Sequence, residues 1–125
     1  MNRSWKRGFE TAKAASLNSI APRHARKVGA ALFSGSVLLS LGHNSYNHGH
    51  PKASWNIHAE HRALLRRQHY DVNGRGLILY VYREVRSGAA ACSRPCLNCQ
   101  ALLREAGVRV VRFVDEQGEF SQISL

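Results

Sequence analysis

One run of apolar residues restricts the fold of this chain more than any other segment. Residues 77–82 read LILYVY, with no alternation between polar and apolar side chains. A strand with this pattern is buried on both faces, so it belongs in the interior of a sheet that other elements cover on both sides. The segments around it alternate between helical and extended patterns, which is typical of α/β domains. We therefore expect an α/β fold with one mixed or parallel sheet.

The predicted elements follow the order α-β-β-α-β-α-β-β. Helical spacing of apolar residues predicts three helices, over residues 4–18, 58–68 and 95–106. Extended patterns predict five strands, over residues 26–33, 37–42, 77–82, 108–114 and 119–124. Residues 43–57 and 83–94 are predicted loops. Residues 115–118 leave room only for a tight turn, so we expect the last two strands to form an antiparallel hairpin.

The chain has 125 residues, of which 44% are hydrophobic and 21% charged, as is typical of one globular domain over residues 1–125. No stretch approaches the ~20 continuous apolar residues of a membrane span, so no membrane partner is expected. The three cysteines, Cys92, Cys96 and Cys99, form an odd cluster that argues against a secreted disulfide framework. A reducing, cytoplasmic location is therefore predicted.

The chain carries 18 Lys and Arg residues against eight Asp and Glu residues, a formal net charge of +10. Residues 1–30 hold seven of the basic residues and only one acidic residue, so the charge is concentrated at the amino end. Such an excess favours a polyanionic partner such as a nucleic acid. A solvated helix face is the alternative interpretation.

Two short motifs carry the chemistry that this sequence suggests. Residues 58–60 read His-Ala-Glu and residues 95–99 read Pro-Cys-Leu-Asn-Cys, each at the start of a predicted helix. One imidazole and two thiolates give a zinc ion three protein ligands and leave a fourth position for water, which is the pattern of catalytic zinc. The glutamate is not needed as a ligand, so its carboxylate is available to move protons between water and a substrate.

The two motifs and the order of elements resemble those of the zinc-dependent cytidine and deoxycytidylate deaminase superfamily, including its small phage and bacterial members. The resemblance covers nearly the whole chain and implies a three-layer α/β/α fold with a five-stranded mixed sheet. It also implies one Zn²⁺ per chain, held by His58, Cys96 and Cys99, with Glu60 as the catalytic general acid and base. Homo-oligomers are common in this family, and nothing in the sequence fixes the number of subunits.

Five further positions are candidates for binding the substrate. By the same resemblance, Asn44 contacts the sugar or the base, and the backbone N–H of Ala59 receives the pyrimidine carbonyl. Tyr46 and Trp55 flank the expected entrance of the site, where aromatic faces stack on bases. Packing beneath the neighbouring helix is an equal alternative for Trp55. Arg94 lies beside the second motif, on the side of the sheet where α/β proteins bind ligands, and is the candidate for a phosphate contact.

The resemblance and the net charge together predict zinc-dependent hydrolytic deamination of cytosine to uracil, in single-stranded nucleic acid, with DNA favoured, or in a nucleotide. Free-nucleoside cytidine deaminases typically carry cysteine at the position of His58. With histidine at position 58, the chain resembles the deoxycytidylate, tRNA-adenosine and polynucleotide branches of the superfamily instead. A free dCMP or cytidine deaminase of nucleotide metabolism is the first alternative, and deamination of adenine in tRNA is a further one.

The sequence also allows an alternative of another class, in which the chain is a non-catalytic nucleic-acid-binding protein with structural zinc. Structural zinc takes four protein ligands, and here Cys92, His61 or His50 would supply the fourth. The glutamate in the first motif favours the open, catalytic site over this alternative.

Overall fold

The structure is a computed structural model that describes residues 3–17, 27–46, 56–57, 63, 76–85 and 87–125. The described residues form two helices, α1 (Arg3–Ser16) and α2 (Leu97–Glu105). They also form eight strands, β1 (Lys27–Ser34), β2 (Val37–His43), β3 (Ser45–Tyr46), β4 (Asn56–Ile57), β5 (Leu77–Glu84), β6 (Ala90–Ala91), β7 (Val108–Val114) and β8 (Phe120–Ser124). Neither described helix is long and apolar enough to cross a membrane.

The main sheet is mixed, and its five long strands follow the order β2-β1-β5-β7-β8. Only β5 and β7 run parallel, while β7 and β8 form the predicted antiparallel hairpin. A sixth strand, the two-residue β6, pairs with the end of β5, where Arg83 lies opposite Ala91. The sequence predicts a loop there, because a two-residue ladder has no periodicity of its own. The prediction of an α/β fold with a mixed sheet is confirmed.

β5 is buried on both faces, as its apolar pattern predicts. On one face, Leu77, Leu79 and Val81 belong to a core cluster that also contains Leu103 of α2. On the other face, Tyr80 and Tyr82 join a cluster that contains Phe9 and Ala12 of α1. The two helices therefore cover opposite faces of the sheet, which gives the predicted three layers. The helix predicted over residues 58–68 lies outside the described residues except for Ala63, which is buried in the cluster on the α2 face.

α1 packs closely against β1 and β5 because two glycines leave room for it. A Cβ at Gly8 would lie 2.3 Å from the Tyr80 ring, and a Cβ at Gly29 would lie 2.0 Å from the carbonyl oxygen of Ala12. The Tyr80 hydroxyl donates a hydrogen bond to the Ser4 carbonyl oxygen at 3.2 Å, which ties the start of α1 to the middle of the sheet. The absence of a side chain at both glycines thus allows α1 to lie close to β1 and β5.

Substituting Gly29→Ala is expected to lower the free energy of unfolding by about 1–3 kcal/mol, because overpacking forces a well-packed element to move. The atoms that its Cβ would meet, in Ala12 and Ser16, belong to the backbone and cannot rotate away. Urea denaturation measures the change. Gly35→Asn is the control, since no atom lies within 4 Å of its Cβ position and asparagine tolerates its φ of 58°. Equal stability of the Gly29→Ala variant and the parent protein would contradict this close packing.

Candidate active site

The sheet brings the ends of three strands to the same edge. His43 at the end of β2 pairs with Gly29 near the start of β1, and Lys27 pairs with Glu84 at the end of β5. Because β7 runs parallel to β5, its carboxyl end also lies at this edge. Asn44 follows β2 here, and the chain that leads to the cysteines follows β5. In open α/β sheets, ligands bind outside the carboxyl ends of the parallel strands, so this edge is the expected site.

Ser93 fastens the chain before the cysteines to both parallel strands. Its hydroxyl donates to the carbonyl oxygen of Val81 at 2.8 Å and accepts from the N–H of Val114 at 2.8 Å. Its own N–H donates to the carbonyl oxygen of Val114 at 2.8 Å. The guanidinium of Arg83 supports the same segment by donating to the Cys92 carbonyl oxygen at 3.2 Å. The second motif therefore starts from a rigid position. Sequence reasoning missed Ser93, since its partners lie 12 and 21 residues away.

The two cysteines of the second motif lie at the beginning of α2, one of them exposed and the other buried. Cys96 is the N-cap, with extended backbone angles of φ −66° and ψ 165°, and its side chain makes no capping hydrogen bond. The predicted start at residue 95 is therefore two residues too early, because the helical conformation begins only after this extended residue. Cys99 is only 3% exposed, and both thiols are free of disulfide bonds.

This pair of thiols fits a zinc ion by the chemistry of its donors. Thiolates are preferred zinc ligands, and two of them three residues apart at a helix start can reach one metal ion. No group of three possible metal ligands occurs within the described part of the chain.

The first motif lies outside the described residues, and so do His58, Ala59, Glu60 and Trp55. The chain on either side of it is nevertheless anchored near β2.

On one side, β3 and β4 form a short ladder in which Ile57, the residue before the motif, pairs with Ser45, next to Asn44. This ladder lies within residues 43–57, where the sequence predicts only a loop. On the other side, the Ser40 hydroxyl donates to the carbonyl oxygen of Ala63 at 2.7 Å. Ala63 packs in the same core cluster as Leu103 of α2.

Asn44 is 2% exposed, and it joins the end of β2 to β1. Its side-chain Oδ1 accepts a hydrogen bond from the N–H of Val28 at 2.9 Å, while its own N–H donates to the Val28 carbonyl oxygen at 3.1 Å. These bonds hold the residue at the edge of the sheet where the cysteine segment also lies. Tyr46, the neighbouring candidate, pairs with Asn56 through the backbone of β3.

Arg94 lies beside the cysteine motif with a partly exposed side chain. Its guanidinium lies 4.8 Å from the centre of the Phe113 ring, and its Nε lies 3.9 Å from Oε1 of Glu116. Cys92, the remaining cysteine, points its thiol at the same Glu116 oxygen across 3.9 Å. The same carboxylate oxygen thus lies 3.9 Å from both Nε of Arg94 and the thiol of Cys92. The exposed ion pair is weak and can exchange for a stronger anion.

Comparisons with known proteins agree with this geometry. The family model described as the cytidine and deoxycytidylate deaminase zinc-binding region matches residues 3–115. A cytidine deaminase from Burkholderia pseudomallei is 25% identical with a TM-score of 0.75, and the match covers 99% of this chain and 93% of that one. A cytidine deaminase from Mycobacterium leprae is 26% identical with a TM-score of 0.64, over 97% and 94% of the two chains.

The dCMP deaminase of cyanophage S-TIM5 shares the fold, with a TM-score of 0.64 and 24% identity over 87% of this chain and 81% of that one. No curated protein matches the chain significantly.

Substituting Ser93→Ala is expected to lower the free energy of unfolding by about 1–3 kcal/mol, because it leaves a buried carbonyl oxygen and a buried N–H without this hydroxyl. Urea denaturation gives the value. Ser124→Ala, at an exposed position of β8, is the matched control and should change stability by no more than about 0.5 kcal/mol. If the two variants lose the same stability, Ser93 does not fasten the motif.

Proposed function

Because the chain belongs to the family of the cytidine and deoxycytidylate deaminase zinc-binding region, we propose that it removes the amino group of cytosine by hydrolysis. The family assignment confirms the resemblance found in the sequence and makes the protein a zinc-dependent hydrolytic deaminase. The observation that carries the proposal is the pair of thiols at the start of α2, neither of them in a disulfide bond, on a segment that Ser93 holds at the edge of the sheet.

Cys96 and Cys99 would hold the zinc ion together with His58. The pairing of Ile57 with Ser45 and the hydrogen bond from Ser40 to Ala63 support this assignment, because these described residues on either side of the first motif both lie near β2. When bound, zinc supplies Lewis acidity that makes water a nucleophile at neutral pH.

Glu60 would act as the general base that takes a proton from the attacking water. It would then return the proton to the departing amino group, so that ammonia leaves. The backbone N–H of Ala59 would receive the carbonyl of the pyrimidine. Asn44 would orient the sugar or the base, and its buried position between β1 and β2 suits a residue that must stay in place. Tyr46 and Trp55 would flank the base.

The position of the basic residues of α1 favours a free cytosine nucleoside or nucleotide as the substrate. Arg3, Lys6, Arg7 and Lys13 lie on α1, which covers the face of the sheet opposite α2. They are therefore poorly placed to bind the phosphates of a nucleic-acid strand that passes the cysteines. Arg94 is beside the motif, and its weak pairing with Glu116 leaves it able to bind a single phosphate.

Single-stranded nucleic acid, with DNA favoured by the sequence, is the second candidate substrate, and the net charge of +10 supports it. Strand binding would use several phosphates, whereas a nucleotide uses one. A panel of cytidine, dCMP, single-stranded DNA and RNA, each assayed over a range of salt concentrations, separates the two. Turnover of dCMP that depends only weakly on salt concentration supports a free nucleotide as the substrate. Turnover of DNA alone that falls steeply with salt concentration supports single-stranded nucleic acid as the substrate.

Substituting Cys96→Ser or Cys99→Ser is expected to abolish most zinc binding, because a hydroxyl is a poor zinc ligand compared with a thiolate. Elemental analysis of the purified variants measures the zinc content. Cys92→Ser is the matched control and should keep about one zinc per chain, since a catalytic site has three protein ligands. Loss of zinc from the Cys92→Ser variant would instead make Cys92 a ligand and favour the structural site.

Substituting Glu60→Ala is expected to lower kcat by about 100-fold or more while the zinc content stays unchanged, because proton transfer is lost and metal binding is not. Ammonia release from the substrate of highest turnover measures kcat. Glu105→Ala, at the end of α2, is the control for removal of a carboxylate and should keep full activity. A Glu60→Ala variant with normal turnover would contradict the assigned role, and no turnover of any panel substrate by the parent protein would contradict the proposed reaction.

A further inference from the structure

A cavity of about 430 Å³ lies on the α1 face of the sheet, between the first turns of α1 and the strands β1, β5 and β7. Its volume falls within the range of about 300–1,000 Å³ that is typical of small-molecule sites. The cysteines belong to α2, on the opposite face, so the cavity is separate from the candidate active site. Three arginines and three aromatic rings line it, namely Arg3, Arg7, Arg112, Trp5, Phe33 and Tyr80.

The cavity has a strongly positive wall, since three guanidinium groups and no acidic side chain occur among the described residues that line it. Arg112, the innermost of the three, is half-buried in β7. It donates hydrogen bonds to the Tyr80 hydroxyl and to Oε1 of Gln122. Among the described residues it forms no ion pair with a carboxylate. Its guanidinium also lies 4.9 Å from the centre of the Trp5 ring. A guanidinium has five N–H donors and these two bonds use two of them, so donors remain for an anion.

The remaining two arginines lie at the rim of the cavity with exposed side chains. Arg7 is held in place because its Nη1 donates to the carbonyl oxygen of Ser36 at 2.6 Å, while its guanidinium lies 5.3 Å from the centre of the Phe33 ring. Arg3 is the first residue of α1. Guanidinium forks match the oxygens of a phosphate group, and aromatic rings provide apolar contact for a planar base.

We propose that this cavity binds one nucleoside monophosphate, with the phosphate between Arg3, Arg7 and Arg112 and the base against the aromatic rings. The chemistry favours a nucleotide over a simple anion because three of the ten described lining residues are aromatic. The volume favours a single nucleotide over a strand. This site also gives a use to two of the basic residues of α1, which covers the face of the sheet opposite the cysteines.

The test is isothermal titration of the full-length, zinc-loaded protein with AMP, a nucleotide without cytosine. We expect measurable binding that saturating cytidine does not displace. The variant Arg3→Gln/Arg7→Gln should weaken it about tenfold or more, since hydrogen bonds to charged groups are the strong ones. The control variant Lys6→Gln/Arg109→Gln removes the same charge from exposed positions on α1 and β7 outside the cavity, and should change the Kd less than about threefold.

Three results would overturn the proposal. The first is no binding of AMP by the parent protein, and the second is equal weakening in both double variants, which would indicate general surface charge. The third is displacement of AMP by cytidine, which would place the nucleotide in the active site. The substituted side chains are exposed, and urea denaturation of each variant verifies that it is folded.

Discussion

The burial of β5 on both faces is the constraint on which the other described elements depend. Leu79 and Val81 on one face and Tyr80 and Tyr82 on the other can leave water only if a helix covers each side. α1 supplies one cover and packs closely through Gly8 and Gly29, while α2 contributes Leu103 to the other. α2 follows β5 in the chain and packs on the same sheet. Its first turn therefore lies at the edge where the parallel strands β5 and β7 end.

This arrangement separates two kinds of chemistry on the two sides of one sheet. The thiols of Cys96 and Cys99 are carried by α2, near the carboxyl ends of β5 and β7, where Ser93 holds the chain with three hydrogen bonds. The cationic cavity around Arg112 lies under α1 on the opposite face. A large net charge therefore does not imply a charged active site. With the proposed substrate and the proposed second site, the chain would deaminate a small molecule on one face and present arginines to a different anion on the other.

Much of the fold could be predicted from the sequence, because local patterns specify it. The apolar run in β5, the hairpin turn before β8 and the helix after Pro95 were all recognisable from neighbouring residues. Ser93 and the cavity around Arg112 were not, since each depends on contacts between residues far apart in the chain. The predicted start of α2 is two residues early because Cys96 has an extended backbone that its residue type does not reveal. The candidate metal motif is predicted from residue types and spacing, whereas the substrate depends on a surface that no short motif describes.

X-ray absorption spectroscopy at the zinc edge of the purified protein tests the central claim most directly, because it counts the atoms around the metal. We expect two sulfur neighbours at about 2.3 Å, and one imidazole and one further oxygen at about 2.0–2.2 Å. This set corresponds to Cys96, Cys99, His58 and an open position for water. Three sulfur neighbours, or two imidazoles with two sulfurs, would show a site closed by four protein ligands and would contradict a hydrolytic role for the metal.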